Sequence, residues 1–360
     1  MSKIVVITNH SYMLYRFRRE LIATLAREHE VVLVMPFVGH EEDFQALGYR
    51  CINTPVDRRG INPVKDLALM KRYHALLQEE KPELVITYSI KPNIYGGLAA
   101  AKLGISFCAN VQGLGTAFQK PGLAQFVTML YKLAFRKVET VFFENEANAA
   151  QFRDRKIIPA SKQKVLPGAG ISLTDYPCRD YPDNQRVRFL YLGRIMREKG
   201  MDELFYAVRK LRNEYDFTLD LVGFFEDEYK EQVEELERLG IAKFHGFQQE
   251  PRPYYEQADC VVLPSYHEGM SNVLLEAAAM GRPLITSDIP GCREAVEAGV
   301  TGLLCQVRSG ESLYDAMKRF LEMSRADRTQ MGRLGRARME AMFEKQKVVA
   351  ATIAALPLKK

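Results

Sequence analysis

Short runs of Val, Ile and Leu recur along the chain, each followed by a longer stretch in which apolar residues return every three or four positions. In the first half the runs are Lys3–Thr8, Val31–Met35, Tyr49–Asn53, Leu84–Thr87, Phe107–Val111 and Thr140–Phe143, with helical patterns such as Phe17–Glu28 and Val64–Glu80 between them. The runs are continuously apolar rather than alternating, as expected of strands covered on both faces of a parallel sheet. The rhythm restarts at Val187–Leu192 and continues through Phe217–Val222, Lys243–His245, Cys260–Leu263 and Leu284–Thr286. The pattern therefore predicts two Rossmann-like, doubly wound α/β domains, residues 1–168 and 183–340. The Pro/Gly-rich stretch from Pro167 to Pro182 reads as the linker. The last helical stretch begins near Met331, and its Ala-rich tail, 341–360, is expected to pack back on the first domain. Two such domains facing each other would enclose a cleft lined by strand C-termini.

Composition narrows the partners. The chain has 360 residues, 47% apolar and 26% charged, with a net charge of +5. No long Lys/Arg block is present, so nucleic acid is not expected as a partner, whereas an anionic ligand or an acidic lipid surface is compatible. Six cysteines lie singly, without zinc-type spacing, and read as small core residues in a reducing compartment. Lys3 leads straight into a strand, with too short an apolar region for a signal peptide. The apolar run Val348–Leu356 falls short of the roughly 20 residues that span a bilayer. A cytoplasmic or peripheral protein is the expectation.

The richest chemistry lies at Glu268-Gly269-Met270-Ser271-Asn272-Val273-Leu274-Leu275-Glu276, between a buried strand and a helix. Backbone N–H groups of Met270, Ser271 and Asn272 would form an anion site at the helix start. Glu268 and Glu276 are eight positions apart, about 12 Å if helical. Carboxylates so spaced can accept hydrogen bonds from hydroxyls on either side of a diphosphate. Alternatively, Glu268 is a loop charge and Glu276 a solvated helix residue, a reading weakened by Ala277-Ala278-Ala279 beside it. Arg194 and Lys199 each stand beside a glycine, Gly193 and Gly200, after a strand. They are either surface cations or neutralise a diphosphate that gains charge as a glycosidic bond breaks.

The first turn, Thr8-Asn9-His10-Ser11-Tyr12, lacks the GxGxxG fingerprint. We read it as an acceptor side, with Asn9 and His10 near the reaction and Arg16 and Arg19 for a phosphate; a solvated first helical turn is the alternative. Gly113 and Gly115, in Asn110–Thr116, serve either a turn facing the ligand or a structural one. From Phe118 to Lys137, Phe126, Met129, Leu130, Tyr131 and Phe135 mix with Lys120, Lys132, Arg136 and Lys137. That stretch is either an ordinary helix or one that lies on an anionic membrane. Backbone groups around His245–Phe247 are candidates to read a base edge, with Phe224 flanking the nucleotide.

At these residues the chain resembles the family-4 glycosyltransferases, retaining enzymes of the GT-B fold, over nearly its whole length. The resemblance rests on Gly193-Arg194…Glu198-Lys199-Gly200, on Tyr255-Glu256-Gln257-Ala258-Asp259 and on the E-x7-E segment after Leu263-Pro264-Ser265. Ser89-Ile90-Lys91-Pro92-Asn93-Ile94-Tyr95-Gly96, with Asn110–Thr116, is similar to a subgroup that builds bacterial lipid-linked surface glycans. The resemblance implies that Arg194 and Lys199 hold the donor diphosphate, Glu276 the ribose and Glu268 the transferred sugar. Many relatives carry a histidine where this chain has Asn110 and Gln112, so no catalytic histidine is assigned there. Retention is then explained by front-face departure, in which the leaving phosphate helps deprotonate the acceptor. The absence of any Asp-any-Asp disfavours metal-dependent transfer. No cofactor is expected beyond the co-substrate.

The expected activity is retaining transfer of a hexose-type unit from a UDP-sugar to a polyprenyl-diphosphate-linked saccharide at the cytoplasmic membrane face. Glu268, Arg194 and Lys199 are the expected catalytic groups. The rivals are a UDP-sugar 2-epimerase of the same plan and a non-catalytic nucleotide-sugar-binding subunit. An oxidoreductase is disfavoured by the first turn.

Overall fold

The computed structural model describes residues 2–57, 62–115, 118 and 121–358. It divides into two compact units, Met1–Gly170 with Gln346–Lys360, and Ile171–Lys345.

The first unit is built on a seven-stranded parallel sheet in the order β3-β2-β1-β4-β5-β6-β7. Its strands are β1 (Lys3–Ile7), β2 (Glu30–Met35), β3 (Arg50–Asn53), β4 (Leu84–Tyr88), β5 (Ser106–Val111), β6 (Thr140–Phe143) and β7 (Gln163–Val165). Successive residues bury on opposite faces. Val5, Ile7, Val85, Phe107 and Val141 join one core with the helices Pro63–Glu80, Gly97–Leu103 and Pro121–Ala134. Ile4, Val6, Leu84, Ile86 and Phe142 join another with the helix Ser11–Leu25 and with Val348, Val349 and Leu356 of the C-terminal segment. The Thr140 hydroxyl donates to the Ala355 carbonyl, 3.2 Å.

The second unit holds a six-stranded parallel sheet in the order β10-β9-β8-β11-β12-β13. Its strands are β8 (Val187–Leu192), β9 (Phe217–Val222), β10 (Ala242–Phe244), β11 (Cys260–Leu263), β12 (Leu284–Ser287) and β13 (Gly302–Cys305). Its interior is one apolar cluster running from Phe189 through Leu274 and Ile285 to Phe320. Cys260, Cys292 and Cys305 lie in that core, and burial pushes the Cys305 thiol up to about 11, as it does Cys108 in the first unit to about 12. Cys178 alone is exposed among the six.

The expected strands are present, and two more appear. Short, polar β7 pairs at the sheet edge with β6. β13 begins at Gly302, where an added Cβ would lie 2.5 Å from the Leu284 carbonyl oxygen; that glycine serves a close strand approach rather than a turn. The first helix starts at Ser11, six residues before the expected Phe17.

Candidate active site

In an open parallel sheet, ligands sit beyond the carboxyl ends of the strands where the strand order reverses. In the second unit that point lies between β8 and β11. The chain leaves β8 through Gly193-Arg194, makes a 3-10 turn at Arg197–Lys199 and enters the helix Met201–Leu211 at Gly200. It leaves β11 through Pro264–Ser271 into the helix Asn272–Ala279.

Backbone contacts lock these loops together. Gly200 adopts φ +76°, and a Cβ there would lie 2.1 Å from the Pro264 carbonyl oxygen. The Tyr266 N–H donates to the Glu198 carbonyl, 2.9 Å. Lys199, between them, is thus held against the β11 loop, and its ammonium lies 2.5 Å from Glu268 Oε1. The same oxygen accepts from the Ser265 hydroxyl, 2.9 Å. On the other side, Gly193 donates to the Val222 carbonyl, 2.9 Å, and a Cβ on Gly223 would lie 1.8 Å from the Gly193 oxygen.

The buried Tyr191 hydroxyl donates to the Arg194 carbonyl, 2.5 Å. Burial holds that phenol well above its usual range, so it stays a donor. The Arg194 guanidinium is half-exposed, and its contact with Glu226 is long, 3.4 Å. Such a screened pair is cheap to exchange for a better anion. Glu276 is 5% exposed and accepts from the Tyr255 hydroxyl, 2.9 Å, which excludes a solvated helix residue. Among the described residues no group of three His, Cys, Asp or Glu side chains is placed to hold a metal ion.

Two expectations need correction. The Ser271 N–H does not point into an anion site; it donates to the Gly291 carbonyl, 2.9 Å. Gly291 fits there because a Cβ would press on the Glu268 and Gly269 carbonyls at 2.7 and 2.6 Å. The Met270 side chain packs in the core, 6% exposed, so any part it takes at the helix start is through its backbone N–H. His245 turns its imidazole to Asp220, Nε2 to Oδ1 2.6 Å, and that carboxylate also takes both ends of the Arg188 guanidinium. The His245 carbonyl accepts from Gln248, 2.7 Å, and the Gly246 carbonyl from the Gly223 N–H, 2.9 Å, so these acceptors brace the loop. What remains is the helix start at Asn272, which no side chain caps. Phe224 and Phe247 are 45% and 56% exposed, and their rings stand edge to face with centroids 6.1 Å apart.

In the first unit the reversal falls between β1 and β4. The pairings Ile7↔Thr87 and Tyr88↔Asn110 bring the ends of β1, β4 and β5 to one sheet edge. Asn9 and His10, following β1, and Gly113 and Gly115, following β5, therefore share that edge. His10 is the extended residue before the first helix, and Gln112 donates to the Met13 sulfur, 3.4 Å. Arg19 is engaged with Glu20, 3.1 Å, and lies over the Tyr15 ring, while Arg16 is half-buried. The deeply placed cation is Arg18, paired with Glu144 at 2.9 Å and stacked over Tyr88. Thr116 and Lys120 lie outside the described residues.

Residues to which the motifs gave no role are Ser265, Tyr191, Tyr255 and Gly291. Tyr255 lay within the quoted Tyr255–Asp259 motif and Ser265 within Leu263-Pro264-Ser265, and the turn dipeptide Pro290-Gly291 was visible; nothing local marked Tyr191.

Two family profiles cover the chain: "Glycosyl transferase 4-like domain" matches residues 16–169 and "Glycosyl transferases group 1" matches 186–323. A Campylobacter jejuni protein named N,N'-diacetylbacillosaminyl-diphospho-undecaprenol alpha-1,3-N-acetylgalactosaminyltransferase is 27% identical over 86% of each chain. The lipopolysaccharide core glycosyltransferase LpsE of Rhizobium meliloti is 26% identical over 79% of this chain and 78% of its own. Anabaena HepE, solved with UDP and glucose, superposes with a TM-score of 0.80 at 18% identity, covering 99% of this chain and all of that one. With two doubly wound parallel-sheet units, and with both profiles in register with them, the chain belongs to the family-4 glycosyltransferases of GT-B fold.

Proposed function

We propose that this glycosyltransferase moves a sugar from a UDP-sugar, with retention of anomeric configuration, onto a polyprenyl-diphosphate-linked saccharide in bacterial surface-glycan assembly. The observation that supports the donor half is the Lys199–Glu268 ion pair beside the strand-order reversal of the second sheet, with Arg194 on the loop after β8 and buried Glu276 on the helix after β11. The uncapped helix start at Asn272 and the two cations suit a diphosphate. Phe224 and Phe247 suit the two sides of a base. Glu276, held by Tyr255, suits ribose hydroxyls, and Glu268 suits the sugar, with Lys199 beside it for the departing phosphate. The acceptor half draws on the Campylobacter relative, whose name carries a diphospho-undecaprenol acceptor.

In this reading the bond between the anomeric carbon and the phosphate oxygen breaks. The acceptor oxygen bonds to that carbon from the same face, and its proton passes to the departing phosphate. The negative charge that develops is met by Arg194 and Lys199, with no protein base and no metal ion assigned. A panel of UDP-sugars, each with and without a lipid-diphosphate saccharide, tests it by UDP release and NMR of the products. An acceptor-dependent, α-to-α product is expected, and Glu276→Ala and Arg194→Ala should abolish turnover. Conversion of donor in the absence of acceptor would point to an epimerase, and wild-type turnover by both variants would remove the site.

A further inference from the structure

We infer that the outward face of the helix Pro121–Ala134, with the turn Phe135–Lys137 that extends it, docks on an anionic lipid surface. This deepens the acceptor half of the function proposed above and rests on it.

The helix buries one stripe, Ala124, Val127, Tyr131 and Ala134, in the core of the first unit. The face turned away from the core of an ordinary surface helix is polar. Here it carries Phe126, Met129 and Leu133, 42%, 51% and 39% exposed, which fall on one side at helical spacing. Lys132, Arg136 and Lys137 are exposed around them, and no acidic residue occurs from 121 to 137. The neighbouring helices Pro63–Glu80 and Gly97–Leu103 cover the same side of the sheet. Between them a groove of about 270 Å³ repeats the chemistry, with Met70 and Leu98 among Lys71, His74 and Lys102.

An apolar strip ringed by cations fits the boundary between acyl chains and anionic headgroups. A second copy of this chain fits worse, because a two-fold pairing would set these cations against themselves. Among the described residues no helix is long and apolar enough to cross a membrane.

The test is co-flotation of the full chain with phosphatidylglycerol-containing vesicles and with pure phosphatidylcholine vesicles. Binding to the anionic vesicles is expected, falling by at least about tenfold when Phe126, Met129 and Leu133 are all changed to Ser. Changing Lys132, Arg136 and Lys137 to Gln should cost about fivefold per cation and remove the preference for anionic lipid. Circular dichroism and thermal melting check that each variant is folded, since these side chains face outward. Equal flotation of wild type and the Ser variant, or none by wild type, overturns the assignment. Self-association that the Ser changes abolish, without vesicle binding, overturns it in favour of a second copy. Turnover of a short-chain, water-soluble acceptor should be unchanged in both variants. If it is absent from wild type as well while flotation behaves as expected, the functional reading fails and the docking surface stands.

Discussion

At the ends of β8 and β11, glycines let one loop's backbone rest on the next, and the charged side chains project from a frame they do not build. At the ends of β1, β4 and β5 the frame is made of side chains. The Thr87 hydroxyl donates to Asn93 Oδ1, 2.6 Å, Asn93 Nδ2 to the Asn110 carbonyl, 2.9 Å, and Asn110 Nδ2 to the Thr87 carbonyl, 3.2 Å, all buried. Ser89 beside them adopts φ +77°, a costly conformation for a residue with a Cβ. Lys91 is tied to Asp66 at 2.7 Å, deep in the unit. A backbone frame tolerates no added atom yet does not depend on the charged side chains it carries, whereas a side-chain frame is tolerant of shape and intolerant of lost hydrogen bonds. Under the proposed function the diphosphate is common to all UDP-sugars while acceptors differ, and a rigid frame in one unit with a replaceable one in the other would suit those demands.

The largest effect that would expose the difference is steric. Gly223→Ala and Gly200→Ala place a methyl 1.8 and 2.1 Å from backbone oxygens, which cannot move aside as a side chain can. Each should cost at least about 2 kcal/mol of stability and roughly 100-fold in UDP-sugar turnover, by denaturant titration and UDP release. Gly115→Ala is the matched change in the first unit: φ is +67° there too, but the methyl meets only the mobile end of Ile90. It should cost about 1 kcal/mol and leave UDP binding unaltered. Equal losses at the three sites would break the comparison.

Next is the ion pair. Lys199→Met leaves Glu268 with the Ser265 hydroxyl and removes a cation from the leaving group, and a loss of about 100-fold in kcat, without the loss of stability, is expected. Glu268→Gln keeps the shape and should lower kcat with less change in UDP affinity, read by calorimetry. A loss of UDP affinity as large as the loss of kcat would reassign Glu268 to nucleotide binding.

Smaller again is Asn93→Ala, which strands the Asn110 carbonyl and the Thr87 hydroxyl. It should destabilise the protein by about 1–3 kcal/mol and raise the acceptor KM, with UDP affinity unchanged. A matching drop in UDP affinity would mean that the two frames are not separate in function.

How far the sequence foretold all this depends on whether a signal was local. Uninterrupted Val/Ile runs such as Ile4–Ile7 and Cys260–Leu263 can hardly be anything but buried strands. β7 is polar and three residues long, and β13 opens on a glycine, so neither carried that signature. The first helix was placed late because its buried stripe, Leu14, Arg18, Leu21, Ile22 and Leu25, has a charge where an apolar residue belongs. That charge is satisfied by Glu144, which no local pattern can announce. The same holds at the site. Glycines beside Arg194 and Lys199 marked the loops, but the pairing of Lys199 with Glu268, 69 positions on, needs the sheet to bring it about. Ser271 was misassigned because a helix start exposes its N–H groups by default, and the carbonyl of Gly291 arrives only with the fold.

The smallest effect is also the sharpest. The Tyr255 hydroxyl orients Glu276 without reaching any position assigned to the reaction, so Tyr255→Phe should cost about 1 kcal/mol, a roughly fivefold rise in donor KM with kcat nearly unchanged. That alone would not separate a positioning role from a general loosening of the core. A donor lacking the ribose hydroxyls does separate them. If Glu276 accepts from those hydroxyls, the deoxyribose donor should bind wild type weakly, and Tyr255→Phe should then add little, because the partner that Glu276 is aimed at is already gone. If the two losses instead add in full, Tyr255 and the ribose act independently. Glu276 would then belong to the core of the second unit rather than to its ligand.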